Sequence, residues 1–140
     1  MFFNVTYTNK EAQDLINDCF GKSFNFIEKI KLGGIGSKRM IIEDTSNDFK
    51  SLLPNNSDIC YGNLELRPLG LLIFINIGLK RYVWGVPYRL ISIYKSESFS
   101  IHSQGNFIRF KNNKLLKENK SFVRKLLDFK SKNNNYYNVI

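Results

Sequence analysis

Hydrophobic and polar residues alternate through much of residues 59–111, a spacing that predicts antiparallel strands with one buried face. Leu64 and Leu66, for example, alternate with charged residues. Residues 71–77 are instead a continuous apolar run, which predicts a strand that needs cover on both faces. Up to residue 95, the predicted strands of this region cover residues 64–67, 71–77, 82–84 and 88–95.

Residues 99–110 predict a β-hairpin with a defined register. If residues 104–105 form a two-residue turn, apolar positions face each other on one side and polar positions face each other on the other. A shift of one residue would reverse every side chain, so this agreement supports the register. The predicted cross-strand pairs are Ile101 with Ile108, Phe99 with Phe110, Ser100 with Arg109 and Ser98 with Lys111.

The N-terminal residues predict a strand followed by a helix. Residues 2–7 have strand character, and Thr8 with Glu11 matches a capping box. The helix is predicted over residues 9–20, and Gly21 is placed to end it. Its predicted apolar face consists of Ala12, Leu15, Ile16 and Cys19.

The rest of the N-terminal half carries weaker signals. Residues 23–31 fit either a strand or a helix, and the helix is the favoured interpretation. Glycines within residues 33–36 predict a flexible joint before a strand at residues 39–43. That joint is similar in composition to a phosphate-binding loop, but its spacing does not fit one. The polar connection over residues 44–58 predicts one helical turn before Pro54.

Residues 114–131 predict a strongly amphipathic helix. Such a helix either lies on an anionic membrane or packs on the sheet. Because the predicted sheet has an apolar face that needs cover, packing on the sheet is the favoured interpretation. Residues 133–140 predict a frayed tail. The apolar arc of the helix consists of Leu115, Leu116, Phe122, Val123, Leu126, Leu127 and Phe129.

Composition is consistent with one folded domain. The chain has 140 residues, of which 43% are hydrophobic, and a second full domain does not fit in that length. We therefore expect a single domain over residues 1–140, with an N-terminal extension at 1–58 and the main part at 59–132. Two cysteines predict reduced thiols. With no secretory signal pattern and no apolar run of membrane-spanning length, a cytoplasmic protein is expected.

Positive charge is concentrated near the C-terminal end of the chain. Of a formal net charge of +9, residues 108–140 contribute nine basic and two acidic side chains. Such a cluster predicts a surface for phosphates, on nucleic acid or an anionic membrane. An AT-rich coding sequence is the alternative explanation, because Lys, Asn, Ile, Phe and Tyr make up 66 of 140 residues. The candidate anion-binding residues are Arg109, Lys111, Lys117, Lys120, Arg124 and Lys125.

A second candidate surface combines aromatic and basic residues, the composition that single-stranded nucleic acid uses for stacking. The alternative is that aromatic residues in strands belong to the core. The candidates for this surface are Lys80, Arg81, Trp84 and Arg89.

The sequence offers little for catalysis. His102 is the single histidine, and the hairpin register places it on the solvent face beside Phe107. Cys19 and Cys60 are too far apart for a metal-binding spacing, and carboxylates such as Glu43 lie beside polar connections. We therefore expect no enzyme activity, no metal and no cofactor.

The order of short strands followed by one terminal amphipathic helix resembles a pleckstrin-homology-like domain. Residues 86–93, Val-Pro-Tyr-Arg-Leu-Ile-Ser-Ile, are similar to the hydrophobic-Pro-aromatic start of a strand in bacterial members. Residues 59–132 as a whole resemble small uncharacterised bacterial proteins that carry such a domain.

The resemblance implies an α+β fold, with a bent, barrel-like antiparallel sheet of six to seven strands closed by the C-terminal helix. It also implies a non-catalytic binding fold. We expect a binding or assembly module whose partner is another protein, and the doubly apolar strand over residues 71–77 leaves open a homodimer through an exposed edge or face. Lipid-binding members use basic residues in the loop between their first two strands. The corresponding residues 44–58 hold three acids and one lysine, which argues against phosphoinositides.

Overall fold

The computed structural model describes residues 1–53 and 58–138. Within these residues the strands are β1 (Phe2–Asn4), β2 (Met40–Thr45), β3 (Cys60–Leu66), β4 (Gly70–Ile77), β5 (Lys80–Pro87), β6 (Ser92–Lys95), β7 (Phe99–Ser103) and β8 (Asn106–Phe110). The helices are α1 (Lys10–Phe20), α2 (Phe26–Leu32), α3 (Asn47–Leu52), α4 (Lys114–Lys117) and α5 (Lys120–Asn138). The α+β class is confirmed. The predicted break at Pro54 lies outside the described residues.

All eight described strands form one antiparallel sheet in the order β1-β5-β4-β3-β2-β8-β7-β6. The prediction of six to seven strands in a barrel-like sheet is wrong, because β1 joins the same sheet beside β5 and the sheet remains open. Met40 and Ile41 of β2 pair with β3, whereas Ile42–Thr45 pair with β8 across a register shift. This irregularity lets one strand bend and join the β3–β5 meander to the β6–β8 meander.

The hairpin of β7 and β8 confirms the predicted register. Phe99 pairs with Phe110, and His102 pairs with Phe107. Gln104 and Gly105 form the turn with φ of 51° and 84°. Two consecutive positive φ values match the twist of the flanking strands, and Gly105 adopts its value without steric cost.

The C-terminal helix α5 packs on the core side of the sheet, as its amphipathic pattern predicts. Phe122, Val123 and Leu126 are buried in the same cluster as the inner-facing residues of the sheet. Two details differ from the prediction: the helix is broken after Lys117, and it continues to Asn138 through the asparagines that were predicted to fray.

Asn119 lies at the break between α4 and α5 and is only 2% exposed. Its Oδ1 accepts a hydrogen bond from the Lys38 amide at 2.8 Å. Its Nδ2 donates to the Lys38 carbonyl at 3.1 Å and to the Leu115 carbonyl at 3.0 Å. A buried amide that satisfies both backbone groups of one residue fixes the helix junction to the chain before β2.

Helix α1 begins one residue later than predicted, because Asn9 rather than Thr8 accepts the capping hydrogen bond from the Ala12 amide. Its buried face also differs from the predicted one. Ala12, Ile16 and Phe20 are buried, whereas Leu15 and Cys19 are exposed. These three residues form one row along the helix, and this row packs on the outer face of the sheet. The Phe20 ring lies over Gly70 and Gly85 of two neighbouring strands.

The favoured interpretation of residues 23–31 is confirmed, because α2 begins at Phe26 with a full capping box between Asn25 and Glu28. The prediction of a strand over residues 88–95 is wrong at its start. A 3₁₀ turn, Tyr88–Leu90, precedes β6. The Tyr88 ring lies 5.7 Å from the Phe129 ring and so ties this turn to α5.

The apolar run of residues 71–77 lies in β4, which is paired on both edges, by β3 and by β5. A homodimer formed through a free edge of this strand is therefore excluded. Its outward-facing Leu72 is covered by α1 in a small cluster with Ile16, Phe20 and Val83.

Candidate functional site

A groove of about 410 Å³ lies between the turn that connects β6 with β7 and the helices α4 and α5. We call it the basic groove. Its floor is apolar, formed by Phe99, Leu116 and Val123. Its remaining lining residues are Lys95, Ser96, Glu97, Ser98, Asn112, Lys117 and Lys120.

Asparagine side chains shape this groove from the helix side. Asn112 donates to the Glu97 carbonyl at 2.8 Å and so fastens the β6–β7 turn to the segment before α4. Asn113 caps α4 by accepting from the amides of Leu115 and Leu116. Together with Asn119, these contacts hold the lysine-bearing turn of α4 beside the hairpin.

The rim of the basic groove is positively charged. Lys95, Lys117 and Lys120 are exposed, and Glu97 is the acidic residue among the lining side chains. An apolar floor with cations at the rim binds a ligand that carries both negative charge and an apolar group. Charge clustering in the sequence indicates Lys117 and Lys120 but not Lys95, because only the fold brings the end of β6 beside α4.

The other candidate anion-binding residues do not join this groove. Arg109 pairs with Glu43 at 3.1 Å and with Asp44 at 3.3 Å, so its charge is locally neutralised. Lys125 donates to the carbonyls of Gly33 and Gly34 at the C-terminal end of α2. Lys111 and Arg124 are exposed outside the residues that line the groove.

The aromatic residue of the second candidate surface lies in the core of the fold. Trp84 is 4% exposed and contacts Phe49 edge-on in the core, so its indole is not available for stacking on a base. Lys80, Arg81 and Arg89 are exposed. The Arg81 guanidinium lies over the Phe74 ring at 4.2 Å, on the opposite side of the sheet from the core.

His102 lies on the outer face, as predicted, in a row of aromatic rings. Its imidazole stacks on Phe107 at 5.3 Å and meets the Tyr94 ring edge-on at 4.8 Å, and its Nε2 lies 3.0 Å from the Ser100 hydroxyl. Partial burial lowers the pKa of His102 below its ordinary value, because removal from water disfavours the imidazolium.

We expect this histidine to make stability fall as the solution becomes acidic. The unfolded chain protonates His102 near its ordinary pKa of about 6.5, whereas the folded chain binds that proton only at lower pH. Between the two pKa values the unfolded state binds more protons, so the free energy of unfolding rises with pH. In urea unfolding at a series of pH values, His102→Gln should show a shallower slope just below about pH 6.5. An unchanged slope would contradict a lowered pKa of His102 in the folded protein.

Asp44 makes the stability of the fold depend on pH in a second, more acidic range. A hydrogen bond from Lys50 is the main cause that lowers the pKa of Asp44, and the Thr45 amide and Arg109 act in the same direction. Its contribution to stability is present above the unfolded pKa and is lost as the pH falls through the lower folded value. That loss occurs in a more acidic range than the one assigned to His102.

The remaining reactive groups are dispersed. Within residues 1–53 and 58–138, His, Cys, Asp and Glu form no group of three that could hold a metal ion. Cys19 is exposed, and burial raises the pKa of the Cys60 thiol to about 11. In the part of the chain that the structure describes, no helix has the length and apolarity needed to span a membrane.

Comparison with protein-family models, with curated proteins and with solved structures finds no match to this chain.

Proposed function

We propose that this protein is a non-catalytic binding module of pleckstrin-homology-like type, and that its basic groove takes an acidic segment of a partner protein. The observation that carries the proposal is the combination of a lysine rim and an apolar floor in one groove. The module acts in the cytoplasm, where Cys19 and Cys60 remain thiols.

The sheet arrangement supports the pleckstrin-homology-like part of the proposal. Strands β2–β8 form two antiparallel meanders that share the bent strand β2, and a terminal amphipathic helix fills the space between them. Strand β1 and helix α1 are additions to that arrangement. The fold by itself does not determine a ligand, whereas the residues that line the groove do.

A peptide suits the basic groove better than a uniformly charged polymer. The half-buried Leu116 and the buried Phe99 and Val123 give the floor an apolar surface that a leucine or phenylalanine side chain would cover. The three lysines lie at the rim, where acidic neighbours of that apolar side chain would meet them.

A phosphate-bearing surface, on nucleic acid or an anionic membrane, is the second candidate. It is favoured by Arg124, which lies one helical turn beyond Lys120 and extends the exposed positive charge along α5. It is weakened by the ion pairs of Arg109 and by the backbone contacts of Lys125.

The proposal is tested with a fluorescein-labelled peptide of alternating glutamate and leucine, measured by fluorescence anisotropy. We expect saturable binding that weakens as salt is added, because exposed charge pairs are screened. Lys117→Glu combined with Lys120→Glu should weaken binding by at least about tenfold, since two attractions become repulsions. A peptide of alternating lysine and leucine is the control for the apolar contribution.

Lys80→Glu combined with Lys132→Glu is the matched control, because both lysines are exposed and the change in net charge is the same but lies away from the groove. Equal losses in both double variants would show that net charge, rather than the groove, carries binding. Single-stranded RNA and phosphatidylserine vesicles are tested in parallel. Binding to either of these without binding to the peptide would replace the first candidate by the second.

A further inference from the structure

A second groove, of about 580 Å³, lies on the outer face of the sheet between α1 and strands β4 and β5. We call it the outer groove. It is separate from the basic groove and shares no lining residue with it. Its volume is within the range of small-molecule sites. The lining residues are Val5, Gln13, Ile16, Asn17, Lys22, Ser23, Arg67, Leu72, Phe74, Arg81 and Val83.

The floor of the outer groove is apolar because α1 covers only part of the outer face. Ile16 and Phe20 pack on Leu72 and Val83, whereas Phe74 is only partly buried. An outward-facing apolar strip on a sheet is normally covered by another element or by a ligand.

The charged side chains that line the outer groove are all basic. Lys22, Arg67 and Arg81 line it, and none of its lining side chains carries a carboxylate. Lys22 and Arg81 are exposed, so both can turn toward a bound anion. Arg81 already lies over the Phe74 ring, which places a guanidinium directly above the apolar floor.

Arg67 is a prepositioned hydrogen-bond donor at one end of this groove, and its charge is offset by Glu65. Its side chain is 14% exposed. Its Nε pairs with Glu65 at 2.6 Å, and its Nη1 donates to the Asn17 side chain at 3.0 Å and to the Gly21 carbonyl at 3.1 Å. Among the described residues, none accepts a hydrogen bond from Nη2. A guanidinium held in this way loses little conformational freedom when it binds an anion.

We propose that the outer groove binds a single-tailed anionic amphiphile, namely a medium-chain carboxylate. The carboxylate meets Lys22, Arg81 and Nη2 of Arg67. The alkyl tail lies against Val5 and Phe74, the apolar lining residues that are only partly buried. A neutral or cationic head group would leave the charged rim without a partner, so the groove selects by charge as well as by apolar area.

The test uses sodium decanoate below its aggregation concentration, with calorimetry for affinity and amide NMR shifts for location. We expect saturable binding in the outer groove, with shifted amides in α1, β4 and β5. Decyltrimethylammonium, which has the same tail and the opposite charge, should bind at least about tenfold more weakly. Butyrate should also bind more weakly, because its shorter tail buries less apolar area.

Lys22→Gln combined with Arg81→Gln should weaken decanoate binding by about tenfold, since two charge-assisted contacts are lost. Lys117→Gln combined with Lys120→Gln is the control, and it should leave the decanoate-induced amide shifts in α1, β4 and β5 unchanged. The proposal is overturned if decanoate does not saturate, if the cationic amphiphile binds equally well, or if the Lys22 and Arg81 variant keeps full affinity. None of these results bears on peptide binding in the basic groove.

Discussion

Replacing Leu126 with alanine is expected to lower the free energy of unfolding by about 2 to 5 kcal/mol. Leu126 is fully buried in α5, within the cluster that the sheet residues form. Truncation removes apolar contacts and leaves a cavity between helix and sheet, and the helix cannot shift to fill it because Asn119 fixes its start. Urea unfolding measures the change.

Arg124→Ala is the matched control on the same helix, since Arg124 is exposed and the substitution changes stability by only about 0.5 kcal/mol. If Leu126→Ala were as mild as this control, the apolar face of α5 would not be part of the core. That result would contradict the packing of α5 on the sheet. It would also contradict the position of the helix residues that line the basic groove.

The second large effect is expected at Phe20, where alanine should cost about 3 to 5 kcal/mol. The ring is 2% exposed and covers Gly70 and Gly85 on neighbouring strands. A Cβ atom at either glycine would overlap the ring, so both glycines permit the close approach of α1. Alanine at either position should also destabilise the protein, by about 1 to 3 kcal/mol.

The two glycines are distinguished by a double-mutant cycle. At Gly85 the three nearest neighbours of a Cβ atom all belong to Phe20, whereas at Gly70 the Val86 carbonyl oxygen also lies at 2.7 Å. In a Phe20→Ala background, Gly85→Ala should therefore become nearly neutral, but Gly70→Ala should remain destabilising. Gly36→Ala is the control, because its nearest neighbour is at an ordinary 3.8 Å. Additive costs at Gly85 would contradict this packing.

Local patterns predicted the hairpin and the terminal helix well. The hairpin register depends on the alternation of neighbouring residues, and Gly105 together with Gln104 supplies the turn. The arc that contains Leu126 is wide enough to define a buried face without knowledge of its partner. These features are encoded within single segments of the chain.

Long-range pairing was not predictable in the same way. Nothing in residues 2–4 indicates that β1 pairs with β5, so the strand count was too low. The α1 face was assigned with Leu15 and Cys19 in place of Phe20, because the helix period fits either choice. Only the glycines of β4 and β5 make a flat surface for Phe20, and they lie far away in sequence.

In the candidate sites, too, local patterns were predictable and long-range contacts were not. Charge clustering identified Lys117 and Lys120, which do line the basic groove, but it also selected Arg109, whose partners Glu43 and Asp44 belong to another strand. Of the outer-groove cations, Arg81 alone had a sequence signal, because the three cations come from separate segments of the chain. Asparagine is common in this chain, so the structural role of Asn119 could not be distinguished from composition.

The central claim is that the basic groove binds an acidic peptide, and amide NMR with the glutamate–leucine peptide tests it most directly. The account predicts saturable shifts at residues 95–99, at Asn112 and from Leu116 to Val123, with an affinity that falls as salt increases. Shifts confined to other surfaces, or no saturable binding at low salt, would contradict it.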